Sequence, residues 1–256
     1  MSVEVVDFFS VANARRFPVW TWTPPGDGPF PLLLLLHGVY DSGGHGWWLR
    51  ARAPEAVQAL GLDRPPILIM PSDTGAEQGS GYCDWVDGTT KAETFLLDEL
   101  LPWAAGALPV SDERWVTGLS MGGYGAFTLA LRRPGTFSSA TATSPFFNPE
   151  RLFGYVPHAA SRMWGDDEGM HAHDPRRLIG DPARRGQTRF ALDCGTDDGL
   201  IDQSRAMHAQ LSDLGVEHGY AEHPGAHDWG YWAAHVADHV AFHAQVPGPL
   251  TLGVSA

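Results

Sequence analysis

Ser120 stands between Gly118 and Gly122, directly after the apolar, β-prone run Trp115-Val116-Thr117 and just before a helix-prone stretch from Tyr124 to Arg133. A serine at a strand-to-helix corner, flanked by residues without Cβ atoms, can hold its hydroxyl out of a tight turn where an electrophile can reach it. The chemistry this offers is nucleophilic attack. In a chain with 30 glycines the pentapeptide alone carries limited weight, because short motifs recur by chance. Its continuation, Gly123-Tyr124-Gly125-Ala126, adds weight, being small enough for the next helix to pack closely on neighbouring strands.

A serine hydroxyl is a poor nucleophile at neutral pH and needs a base, which in turn needs a group to orient it. Asp197 and Asp198 follow an apolar run ending at Cys194-Gly195, and His227 follows one ending near His223-Pro224. In a parallel sheet both turns open on the edge where Ser120 lies. His223 competes with His227 for the role of base. Pro224 ties His223 to a strand end, however, whereas Gly225-Ala226-His227-Asp228-Trp229 reads as a loop, so His227 is preferred. His235, His239 and His243 lie four apart on the last helix and are expected as neutral imidazoles on a solvated face. His171 and His173, beside Asp174, read as surface residues, and His37 as a packed strand-end residue. No metal or cofactor is expected, because no zinc motif or phosphate-cradling loop stands out, and Asp84 and Asp87 alone make a weak cation site. Cys83 and Cys194 read as packed thiols.

These groups require a scaffold, and apolar runs alternating with helix-like segments predict an α/β fold with a mostly parallel central sheet flanked by helices on both faces. Segments 3–11 and 16–23 read as an antiparallel edge pair, and Leu32 to His37, continuously apolar, as a buried central strand. Further strands are expected at 67–70, 115–117, 138–143, 190–194 and 216–222. Helices are expected at 54–60, 91–107, 201–214 and 231–245. Residues 1–246 form one domain, 144–188 are long enough for a small cap insertion carrying Phe146, Phe147, Phe153, Tyr155 and Trp164, and 247–256 read as a loose tail.

Composition narrows the partners. With 256 residues, 43% hydrophobic content and a net charge of -13, the chain can build an ample core and repels nucleic acid and anionic membranes. Its first residues include Glu4 and Asp7 and no long apolar segment, and with two cysteines the expected location is the cytoplasm.

Gly118 to Ala126, Cys194 to Asp198 and Gly225 to Trp232 resemble the signature blocks of the Putative esterase (esterase D-like) family of α/β-hydrolases, and 93–102 resembles that family's helix before the nucleophile strand. The family includes S-formylglutathione hydrolases, tributyrin esterases, feruloyl esterases and mycolyltransferases. The resemblance implies an α/β-hydrolase fold with Ser120 as nucleophile, Asp198 as acid and His227 as base. Met121, following the nucleophile at a helix start, would give one oxyanion N–H. His37-Gly38-Val39 resembles the family's strand-end motif and implies Val39 as the second donor. Where S-formylglutathione hydrolases carry a cysteine, this chain reads Val39-Tyr40-Asp41-Ser42-Gly43.

Tyr40, Trp47, Trp48, Trp85 and Trp229 are the aromatic side chains expected to meet substrate, with loop anchoring as their alternative role. The expected activity is serine carboxylesterase action on small short-chain acyl or aryl esters. The alternatives are acyl transfer to an alcohol and a non-catalytic binding protein of the same fold. The partner is a small-molecule ester, and the sequence leaves a homo-oligomer open.

Overall fold

The computed structural model describes residues 3–39, 45–72, 74, 79–151 and 157–250. Its eight strands are β1 (Val3–Ser10), β2 (Arg15–Trp22), β3 (Phe30–Leu36), β4 (Ile67–Pro71), β5 (Val110–Leu119), β6 (Ser139–Thr143), β7 (Arg189–Gly195) and β8 (His218–His223). They form one sheet in the order β1-β2-β4-β3-β5-β6-β7-β8. Pairing is antiparallel from β1 to β2 and from β2 to β4, and parallel everywhere else. This is the expected mostly parallel sheet with an antiparallel edge.

Ten helices lie wholly within the described residues. These are α1 (His45–Arg50), α2 (Ala53–Ala59), α3 (residues 92–107), α4 (Met121–Arg132), α5 (Pro157–Trp164), α6 (Asp167–His171), α7 (Pro175–Leu178), α8 (Pro182–Arg185), α9 (Ile201–Asp213) and α10 (Trp229–His243). The middle of α3, Phe95–Leu100, is wound as a π-helix.

Every residue of β3 is buried because both sheet faces are covered. On one face Leu32, Leu34 and Leu36 pack with Phe95, Leu100, Phe127 and Phe190. On the other, Leu33 and Leu35 meet Trp48, Val57, Trp232, Val236 and Val240. The alternation along β3 divides its leucines between two cores, which is why the run lacks polar residues.

Chain order reverses about β3, which lies between β4 and β5. Strand ends at such a reversal leave a crevice on the carboxyl side of the sheet. Leu36 pairs with Gly118 there, so the chain after β3 and the corner after β5 emerge side by side.

The structure adds detail to two segments of the expected layout. Leu250 is buried against Ala191 and Phe242, so the tail is docked at least that far. In the 144–188 insertion, Phe147 packs on Phe127 of α4 and belongs to the main core. Trp164 is buried with Tyr124 and Trp85. Phe153 and Tyr155 lie outside the described residues. Among the described residues, no helix is long and apolar enough to cross a membrane.

Candidate active site

Ser120 occupies the turn between β5 and α4 with φ 55° and ψ -119°, a left-handed backbone that a non-glycine residue adopts only under constraint. Four hydrogen bonds supply the constraint. The Ser120 N–H donates to the Thr143 carbonyl (3.0 Å), while the Ser120 carbonyl accepts from Gly123 (3.0 Å), Tyr124 (3.3 Å) and Phe146 (3.2 Å). A Cβ on Gly118 would lie 2.0 Å from the Gly122 carbonyl oxygen, and one on Gly122 would lie 2.0 Å from that of Leu36. Gly118 is therefore required by the tightness of the turn itself, and Gly122 by the packing of that turn against the end of β3.

The loops after β7 and β8 are stitched together by their backbones. Thr196 donates to the His223 carbonyl and Asp197 to the Gly225 carbonyl, each at 2.9 Å. This brings the Asp198 and His227 side chains face to face. His227 Nδ1 lies 2.8 Å from Asp198 Oδ2, and His227 Nε2 lies 3.1 Å from Ser120 Oγ. An ionised carboxylate can only accept, so Nδ1 carries the proton and Nε2 offers its lone pair to the serine hydroxyl.

Burial of the Asp198 carboxyl works to raise its pKa, but hydrogen bonds from His227 and from the Leu200 N–H outweigh it and hold the group below the ordinary carboxylate range. Asp198 is thus ionised at neutral pH, whereas Asp197 is exposed. His223 stacks on His235 with ring centroids 4.1 Å apart, leaving His227 as the imidazole beside Ser120.

Met121 opens α4, so its N–H is among the first-turn donors that find no carbonyl within the helix. A Cβ placed on Gly79 would touch both Met121 Sδ and Val39 Cγ1, so residues 39 and 121 border the same small space. The chain leading to Val39 is braced by Tyr82, whose hydroxyl donates to the His37 carbonyl at 2.8 Å. A serine hydroxyl, an imidazole beside it, an ionised carboxylate behind that and nearby N–H groups are the parts required for acyl transfer through a tetrahedral oxyanion.

The Putative esterase family matches residues 14–243. The chain belongs to that family. Esterase MT1326 of Mycobacterium tuberculosis (strain CDC 1551 / Oshkosh) is 29% identical over 225 residues, which cover 77% of this chain and 48% of that protein. The chain therefore spans about half the length of that relative. Fluorophosphonate-binding serine hydrolase F (FphF) of Staphylococcus aureus, solved with substrate bound, superposes with a TM-score of 0.81 at 20% identity, covering 95% of this chain and 98% of that one. An S-formylglutathione hydrolase from Agrobacterium tumefaciens gives 0.83 at 19% identity, covering 97% and 99%. These likenesses establish the α/β-hydrolase fold.

Within this member of the Putative esterase family, the expected aromatic substrate contacts divide. Trp48 is buried between β3 and α10 residues, and Trp85 is buried with Cys83, Tyr124 and Met163 while its indole N–H donates to the Ser80 carbonyl. Their faces are taken by neighbours, which favours loop anchoring. Trp229 is half-buried at the start of α10, edge-on to Trp232 and beneath the Arg50 guanidinium at 4.5 Å. Tyr40 and the Trp47 side chain lie outside the described residues.

The two thiols are free and buried. Burial raises both pKa values, that of Cys194 to about 12, so neither is a nucleophile at neutral pH.

The histidine ladder differs from expectation. His239 and His243 are buried, because their stripe adjoins the apolar stripe Trp232, Val236 and Val240 that packs on the sheet. Polar groups await them there: Asp193 meets His239 at 2.9 Å, while Ser139 and Thr141 meet His243. His173 also differs, being half-buried with its carbonyl accepting from Tyr124.

Asp193, His223 and His235 bring potential ligand atoms within 4.8 Å of one another. The two imidazoles, however, are stacked with planes 8° apart. Their in-plane lone pairs run side by side instead of converging on one ion, so this arrangement does not fit metal coordination. Sequence reasoning missed the tyrosines that brace the site. Tyr82 and Tyr231 sit among many aromatics, and no local pattern marks the hydroxyls that reach His37 and Asp193.

Proposed function

We propose that this chain is a serine carboxylesterase acting on small acyl or aryl esters. The observation that carries the reading is the line of contacts from Ser120 Oγ to His227 Nε2 and from His227 Nδ1 to the ionised Asp198. His227 takes the hydroxyl proton as Ser120 Oγ bonds to the ester carbonyl carbon. The resulting oxyanion is held by the N–H groups of Val39 and Met121. Its collapse expels the alcohol, which receives the proton from His227, and leaves an acyl-enzyme. Water, deprotonated by the same imidazole, then releases the acid and restores the serine. Asp198 holds the tautomer and stabilises the charged imidazolium. Membership in the Putative esterase family supports this reading, and the two free, buried cysteines suit a reducing, cytosolic location.

Turnover of p-nitrophenyl acetate and butyrate by the wild type and by Ser120→Ala tests it. Wild-type hydrolysis that disappears in a folded Ser120→Ala variant is the expected result. Undiminished hydrolysis by that variant would refute the assignment.

A further inference from the structure

Asp193 lies at the end of β7, five positions before Asp198, and its side chain is almost completely buried. Its carboxylate accepts from the His239 Nε2–H at 2.9 Å and from the Tyr231 hydroxyl at 2.8 Å. Both donors belong to α10, the helix that follows His227 directly. Tyr231 reaches back over the intervening loop. Its ring is so close to Gly225 that a Cβ there would lie 2.6 Å from Tyr231 Cδ2, and its N–H donates to the Asp228 side chain at 3.0 Å. The His227 loop is therefore gripped on both sides by groups tied to Tyr231.

The Asp193 backbone extends the connection. Its carbonyl accepts the Ser144 N–H at 2.9 Å, and the residue before Ser144 is Thr143, whose carbonyl accepts the Ser120 N–H. One residue thus links the strand end behind the nucleophile to the helix behind the base.

We propose that Asp193 is a positioning residue that sets the His227 to Ser120 geometry through Tyr231. This rests on the serine-esterase reading above. A negative charge in an apolar core costs several kcal/mol unless hydrogen bonds compensate it. Here it receives two, from one helix. The arrangement fixes α10 against β7 in one register, which holds the adjoining loop where Nε2 meets the serine. Small displacements of reacting groups suffice to slow catalysis by about 100-fold.

The test compares Tyr231→Phe, Asp193→Asn and Asp193→Ala with wild type for kcat and KM on p-nitrophenyl butyrate and for thermal midpoint, with Ser120→Ala as the control for the underlying reading. Tyr231→Phe keeps the ring against Gly225 and removes only the hydroxyl. It is expected to lower kcat roughly 10- to 100-fold with KM nearly unchanged. Asp193→Asn retains hydrogen-bonding capacity and should recover much of the activity lost in Asp193→Ala. If Asp193→Ala does not fold, Tyr231→Phe still decides. Wild-type kcat in Tyr231→Phe, with Ser120→Ala inactive, overturns the proposal alone. Activity remaining in Ser120→Ala overturns the catalytic reading instead.

Discussion

Gly195 and Gly225 approach so closely that a Cβ on Gly195 would stand 2.3 Å from the Gly225 carbonyl oxygen. This contact lets the loops carrying Asp198 and His227 share backbone hydrogen bonds. Gly195→Ala should push them apart, costing about 1–3 kcal/mol of stability as overpacking and a larger share of activity. Chemical denaturation beside kcat measurement checks this. A variant with wild-type values of both would show that the loops do not depend on the contact.

In the proposed mechanism, Asp198 bears on rate through the tautomer of His227. Asp198→Asn keeps the shape but lets the imidazole turn its lone pair away from Ser120. A kcat loss on the order of 10⁴-fold with an unchanged circular dichroism spectrum is expected. A loss below about tenfold would assign the orienting role elsewhere.

Stability should fall on mild acidification. Burial pushes the His243 pKa well below 6.5, with His239 and Arg189 adding to the effect, and burial also lowers His173 and His208. Each binds a proton less readily when folded than when unfolded, so its contribution is complete above pH 6.5 and diminishes below it. His235 works in the opposite sense, because its hydrogen bond to Asp238 raises its pKa. Three groups against one predict a lower Tm at about pH 5 than at about pH 7. Thermal melts across that range check the sign, and His243→Phe should flatten the slope. At lower pH, Asp193 and Asp198, both held below 3.8, lose their contributions in turn.

The aromatic residues separate by burial. Trp85→Ala should cost about 3–5 kcal/mol, as expected for a large core side chain. Trp229→Ala should leave the fold nearly intact. Urea unfolding of the two variants distinguishes them, and equal destabilisation would contradict the burial pattern.

Much of this arrangement was legible in the chain. The leucine run of β3 could satisfy its side chains only between two covered faces, and the glycines around Ser120 could be replaced by nothing larger. Asp198 and His227 were readable because each follows an apolar run by a few residues. The facing of α10 was not legible. A histidine every fourth residue looks solvated until Asp193, Ser139 and Thr141 are seen beneath it, and those partners are remote in sequence. The roles of Trp48 and Trp85 were not legible for a related reason: an indole beside glycines looks the same whether it anchors a loop or faces a ligand.

The central claim is that Ser120 is the activated nucleophile, and peptide mapping after treatment with a fluorophosphonate tests it most directly. A single covalent adduct on Ser120, formed in step with loss of ester turnover, is the predicted result. An adduct on another residue, or full turnover by protein labelled at Ser120, would contradict it.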